Sequence, residues 1–166
     1  GLAGGGAEGY AASMFYMTSY AIMSAAAFGA IIVLSGRGHE ADTLDDFRGL
    51  NQRNPWLAGM MLCAMFSLAG IPPFLGFWAK LAVLRAAIGG DMLWLAIVGI
   101  VCAVIGCFYY LRVVKVMYFD EPAQDAPEAR KDKPVRWMLG VNALALIVLG
   151  LAWNPIMAWC QAAFTS

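Results

Sequence analysis

Lys80 stands alone in an apolar stretch: from Asn54 to Ala79 there is no Asp, Glu, Lys or Arg, and the preceding charge is Arg53. An ionisable group at the centre of a membrane span costs about 2.5–3.5 kcal/mol on insertion scales, so such groups usually face a bundle interior and mark an ion or proton path. Lysine suits proton exchange, because desolvation favours its neutral amine and a mobile charge nearby can then switch its protonation. The competing readings are that Lys80 snorkels to an interface or makes a static ion pair.

Two turns before it runs Leu68-Ala69-Gly70-Ile71-Pro72-Pro73. Successive prolines remove backbone donors and push Ile71 and Pro72 out of helical geometry, while Gly70 adds permissive dihedrals. Interrupted backbone at membrane depth is tolerated only where protein or a water-filled cavity satisfies the freed groups. That makes Gly70, Ile71, Pro72 and Pro73 a candidate polar junction; a proline kink used for packing is the alternative. Ser67 beside the junction, and Thr18, Tyr20 and Ser24 in the first apolar run, are candidate lining residues of a hydrophilic axis. For the last three, with Ser19, close helix approach is the favoured reading.

The remaining reactive side chains point to no further site. Tyr109 and Tyr110 precede Arg112 and Lys115 and are expected in the interfacial belt. His39 reads as a surface residue in a charged loop, and Asp42, Asp45 and Asp46 as a solvated cluster without a matching metal-ligand set. Cys63, Cys102, Cys107 and Cys160 all lie in apolar stretches with no CxxC pair, where a thiol is inert.

What must position Lys80 is a membrane. Of 166 residues, 61% are hydrophobic and 13% charged, against about 45–50% and about 25% in a soluble domain. A water-soluble enzyme domain is not expected. The 11 basic residues balance 11 acidic ones, so no overall field favours nucleic acid. Charge-free runs extend over 9–36, 54–79, 92–111 and 137–166, each longer than the ~18 residues that suggest a spanning helix.

The expected architecture is an all-α polytopic transmembrane helix bundle, a single membrane domain over 1–166. Its helices are expected near 11–35, 55–88, 92–118 and 135–160, the second one broken. A continuous helix over 55–88 would be about 51 Å long against a hydrocarbon core of about 30 Å. Asn54-Pro55 starts it well, with Asn as cap and Pro at the first position. Asn154-Pro155 is expected to end or kink the last span before a short terminal segment.

Loops 36–54 and 119–134 share one side of this arrangement. With adjacent helix ends they hold Arg37, Arg48, Arg53, Arg112, Lys115, Arg130, Lys131, Lys133 and Arg136, whereas the other side has Arg85. The positive-inside rule therefore puts the loops in the cytoplasm and both termini outside. Trp56, Trp94, Trp137 and Trp153 fall near expected helix ends, as interfacial anchors do; Trp78 does not. Glu121–Lys133 reads as a solvated linker. The chain starts at Gly1, with no initiator Met and no signal-peptide n-region, and is expected to be a portion of a longer polypeptide.

The stretch Phe66-Ser67-Leu68-Ala69-Gly70-Ile71-Pro72-Pro73-Phe74-Leu75-Gly76-Phe77-Trp78-Ala79-Lys80-Leu81 resembles the antiporter-like membrane subunits of respiratory complex I, the proton-translocating NADH:quinone oxidoreductase, and within them the subunit N branch. Flanking matches are Tyr20 to Gly29, ending Ala27-Phe28-Gly29; Phe47-Arg48-Gly49-Leu50 before Asn54-Pro55; and Tyr109-Tyr110-Leu111-Arg112-Val113. Sister subunits often carry Glu at the lysine position or a single Pro in the break.

The resemblance implies the C-terminal part of a subunit of about fourteen spans, built from inverted repeats that each contain a broken helix. Lys80 matches the lysine that the second broken helix places on a central hydrophilic axis. The first repeat, with its glutamate and further lysines, has no counterpart in these residues, so this segment is not expected to pump alone. The resemblance further implies a bacterial inner-membrane location rather than a mitochondrial one. Flavin, iron–sulfur clusters and quinone would be held by other membrane-arm and peripheral-arm subunits, with no cofactor or metal in this chain and with protons and water as its cargo. A multisubunit cation/proton antiporter shares the pattern, and a non-conducting scaffold is the reading from a different class.

Overall fold

The structure, a computed structural model, describes residues 2, 6–35, 41, 43–123 and 133–165. His39, Arg37, Asp42, Arg130 and Lys131, and with them most of the expected linker, lie outside the described residues. Those described form an all-helical bundle: α1 Gly6–Leu34, α2 Leu50–Arg53, α3 Pro55–Ala69, α4 Leu75–Gly89, α5 Leu93–Phe119, α6 Lys133–Leu151 and α7 Trp153–Thr165. A short 3-10 turn, Leu44–Phe47, precedes α2.

Three of these helices, α1, α5 and α6, are long and apolar enough to cross a membrane. α3 and α4 have 15 residues each, so each is about 22 Å long, short of the ~30 Å hydrocarbon core. The segment expected as one span over 135–160 is divided between α6 and α7. Pro155 has no N–H to offer the Leu151 carbonyl, so the helical ladder stops there.

α1 is the central post and packs against α3, α4, α6 and α7. Its alanines at 11, 12, 26, 27 and 30 are all buried, and small residues of this kind let helix backbones approach closely. Two hydrophobic cores form along it. One joins the C-terminal half of α1 to α3, to α6 through Leu139 and Leu146, and to Met117 of α5. The other joins Ala11 and Phe15 of α1 to Leu75 and Ala79 of α4 and Cys160 of α7. α3 and α4 are thus rooted in different cores. α5 is peripheral in this chain: Ala96 and Met117 are its buried residues, and Ile97, Val101, Val104, Ile105 and Phe108 are exposed.

The loop before α3 is locally knitted. Thr43 donates from N and Oγ1 to Asp46 Oδ2 at 2.9 and 2.7 Å, and Arg53 Nη2 donates to the carbonyls of Asp46 and Arg48 at 2.6 and 3.2 Å. Burial draws the Arg53 guanidinium below its ordinary range, and the Asp46 carboxylate opposes that shift; the group stays charged at physiological pH. Gly49, at φ 59°, donates its N–H to the Val116 carbonyl at 3.1 Å and ties the loop to the end of α5. A side chain there would strike Pro122. Asn54 Oδ1 then caps α3 by accepting from Leu57 N at 3.1 Å, with Pro55 in the first turn.

Candidate functional site

The end of α3 leaves carbonyls without helical partners, and counting them defines the site. Gly70 adopts φ 84°, which lets its N–H return to the Phe66 and Ser67 carbonyls at 3.1 and 3.0 Å while Ile71 N reaches Phe66 O at 3.0 Å. This is the Schellman termination. Of the last four carbonyls, those of Leu68 and Ala69 remain. Lys80 Nζ takes both, at 2.9 and 3.0 Å.

Lys80 can do so because side chains on a helix lean toward its N-terminus, and it lies in the second turn of α4. Its ammonium meets the negative end of the α3 dipole, an interaction worth about 0.3–2 kcal/mol. Among the described residues no carboxylate pairs with it. Gly70 makes the approach possible: a Cβ there would stand 3.0 Å from Lys80 Cδ and 3.3 Å from Nζ.

The junction is also joined in the opposite direction. Ser67 is fully buried, and its Oγ accepts from Gly76 N at 3.1 Å, satisfying a donor in the first turn of α4. Pro72-Pro73 is a cis peptide, and Phe66 and Phe74 meet edge to face across the break at 6.0 Å. Two glycines admit the neighbouring backbone. A Cβ on Gly76 would overlap the Ser67 carbonyl, and one on Gly150 of α6 the Pro73 carbonyl.

Lys80 borders two hollows. One, of about 340 Å³, is lined on the α1 side by Tyr16, Tyr20 and Met23 and on the α5 side by Gly106 and Tyr110. The other, of about 270 Å³, holds Gly70, Phe77 and Cys107. Tyr16 and Tyr20 are one helical turn apart, with rings stacked at 6.1 Å. The glycines at 99 and 106 of α5 line the first hollow and leave room beside the lysine.

The sequence candidates separate accordingly. Lys80, Gly70, Ile71, Pro72 and Pro73 are contiguous with the break, and Tyr20 shares a hollow with Lys80, while Ser67 spends its hydroxyl on the Gly76 cap. Thr18 is exposed and Ser24 half-buried, and neither lines either hollow. Tyr16 and Tyr110 are additional. Tyr110 was expected in the interfacial belt with Tyr109, but successive helical residues point about 100° apart: Tyr109 is exposed, whereas Tyr110 turns toward Lys80. Tyr16 carries the signal of lying at i−4 from Tyr20. Trp153, expected at an interface, is half-buried and stacks on Trp78 at 4.8 Å.

A helix interrupted in mid-course, with a lysine from one half bound to the freed carbonyls of the other beside two hollows, is the discontinuous-helix arrangement found in transporter-type membrane bundles. A family model described as "NADH:quinone oxidoreductase/Mrp antiporter, TM" matches residues 1–106. The chain belongs to that family.

NADH-quinone oxidoreductase subunit N of Xanthomonas euvesicatoria pv. vesicatoria (strain 85-10) is 69% identical over 99% of the chain, which covers 34% of that protein. The subunit N of Acidithiobacillus ferrooxidans is 51% identical over 96% of the chain, covering 33% of that relative. The chain thus spans about a third of the length of these curated relatives. Among solved structures, the Mrp complex from Dietzia sp. DQ12-45-1b superposes with TM-score 0.83 at 22% identity, over 95% of this chain and 38% of that one. Respiratory complex I from Thermus thermophilus with bound aureothin superposes with TM-score 0.77 at 25% identity, over 90% and 34%. The resemblance carried by Phe66–Leu81 is therefore matched along nearly the whole chain.

Proposed function

We propose that this chain is the C-terminal third of a proton-translocating membrane-arm subunit of NADH:quinone oxidoreductase, and that Lys80 is its relay residue. The observation that carries the reading is the paired hydrogen bond from Lys80 Nζ to the Leu68 and Ala69 carbonyls at the helix break. In the ammonium form these are charge-assisted bonds at a helix C-terminus. When the proton leaves, the charge-assisted part is lost and the amine lone pair can accept the next proton from water in a bordering hollow. Tyr16, Tyr20 and Tyr110 carry hydroxyls able both to donate and to accept along such a path.

On this reading α3 and α4 count together as one discontinuous span, giving four with α1, α5 and α6. Loops 36–54 and 119–134 face the cytoplasm, and both ends of the chain face the periplasm of a bacterial inner membrane. Redox centres, flavin and iron–sulfur clusters included, and quinone reduction belong to other subunits of the membrane and peripheral arms, coupled electrostatically to the charge on Lys80.

The test is proton pumping per NADH oxidised in membranes whose full-length subunit carries Lys80→Met, with assembly checked in parallel. Pumping and quinone-linked NADH oxidation should both fall by about tenfold or more. Wild-type values of both in an assembled complex would remove Lys80 from the relay and leave a scaffold.

A cation/proton antiporter subunit is the second reading, favoured by the superposition on the Mrp complex. At 22% identity that likeness speaks for the fold, whereas relatives named subunit N reach 69%. Purification of this subunit with NADH-oxidising partners supports the first reading, and purification without them the second.

A further inference from the structure

A groove of about 710 Å³ opens where α6 starts beside the start of α3. Its head is cationic. Arg136 lies over the Trp56 ring at 4.8 Å, and Lys133 joins it in lining the groove. Neither side chain has a hydrogen-bond or ion-pair partner among the described residues, and no carboxylate among them lines the groove. A cation–π contact leaves the guanidinium N–H fork free for a planar or tetrahedral oxyanion.

Below the head the wall is apolar and open: Trp137, Val141 and Leu144 are 75%, 47% and 60% exposed and follow one another along one face of α6. From Lys133 to Leu144 this stripe is about 16 Å long, close to half of the ~30 Å hydrocarbon core. Cations over a tryptophan pair over an apolar strip one leaflet deep are the chemistry of a phospholipid, in the order headgroup, interface, acyl chain.

We infer that this groove binds an anionic phospholipid, its phosphodiester on Arg136 and Lys133 and an acyl chain along Trp137, Val141 and Leu144. Charge chooses this occupant. A zwitterionic lipid would bring a cation to a head with no carboxylate among its described lining residues, and an apolar protein helix would leave these two cations without counter-charge at the membrane edge.

The test uses the full-length subunit in its native membrane, with Val141 replaced by the photo-crosslinking residue benzoylphenylalanine, followed by mass spectrometry of the adduct. The expected adduct is a phospholipid enriched in anionic headgroups over the bulk membrane. Arg136→Gln combined with Lys133→Gln should lower that enrichment at least tenfold, and Arg136→Lys alone should largely keep it. An adduct that is polypeptide overturns the proposal, as does a lipid adduct whose composition equals the bulk membrane or is unmoved by the double substitution. Arg136→Gln alone, should the double variant fail to assemble, must still lower the enrichment; an unchanged value there also overturns it.

Discussion

At the scale of single residues, Gly70 and Lys80 form one unit. The glycine's positive φ turns the chain back so that two α3 carbonyls are left for the lysine, and its missing side chain gives the lysine room. Gly70→Ala should therefore do two things. It should destabilise by about 1–3 kcal/mol through left-handed strain, and it should shift the ammonium, lowering NADH-driven pumping in a protein that still assembles. A thermal melt and a pumping assay on the same membranes check both; unchanged pumping would separate the glycine from the lysine's position.

How much of this was legible in advance can be judged residue by residue. Two adjacent prolines and an isolated lysine two turns on are local signals, readable from backbone chemistry and charge spacing. The identity of the lysine's partners was not readable, because carbonyls 11 and 12 residues back become available only after the termination at Gly70 has taken up the others. Tyr110 was hidden by its neighbour: the pair with Tyr109 beside Arg112 and Lys115 reads as interfacial, and only the packing of α5 decides which ring turns inward. Ser67 illustrates the reverse. A serine next to a break suggests water, yet its hydroxyl holds a backbone donor of α4.

At the scale of elements, the break depends on a helix distant in sequence. Gly150 lets α6 lie against the Pro73 carbonyl, in contact with backbone rather than with a side chain able to yield. Gly150→Ala should accordingly destabilise the solubilised protein by about 1–3 kcal/mol through overpacking. Gly59→Ala is the matched control: a Cβ at this α3 position meets nothing within 4 Å, and removing a helical glycine gains up to about 1 kcal/mol. Melting temperatures moving in opposite directions check the pair. Charge-free apolar runs marked where helical segments run, but they do not report contacts of this kind, because a glycine in a long apolar run reads the same whether it faces lipid or another backbone. The division between α6 and α7 was signalled by Pro155, whereas the stacking of Trp153 on Trp78 needed α7 folded against α4.

At the scale of the whole molecule, α2, the start of α3 and the end of α5 gather at one end of the bundle, fastened by the bond from Gly49 to Val116, and α6 joins them through Arg136 over Trp56. Glu8 lies at the start of α1, at the other end, and is exposed, as is Glu121 just past α5. In intact cells a membrane-impermeant maleimide should modify Glu8→Cys and spare Glu121→Cys, in a background without the native cysteines. The opposite pattern would invert the orientation drawn from the positive-inside rule.

The separation of α3 and α4 into different cores has a mechanical side. Each half-helix is a lever with its own anchorage, and the fastening that stiffens the joint includes the same ammonium whose proton is proposed to come and go as cargo. Stiffness at residues 70–76 then becomes a gauge of occupancy: taut when Lys80 is charged, slack when it is not. Amide exchange over that stretch should run faster in the Lys80→Met protein than in wild type, with the rest of α3 and α4 unchanged. A joint of this kind would convert one proton into a change of compliance without any additional moving part.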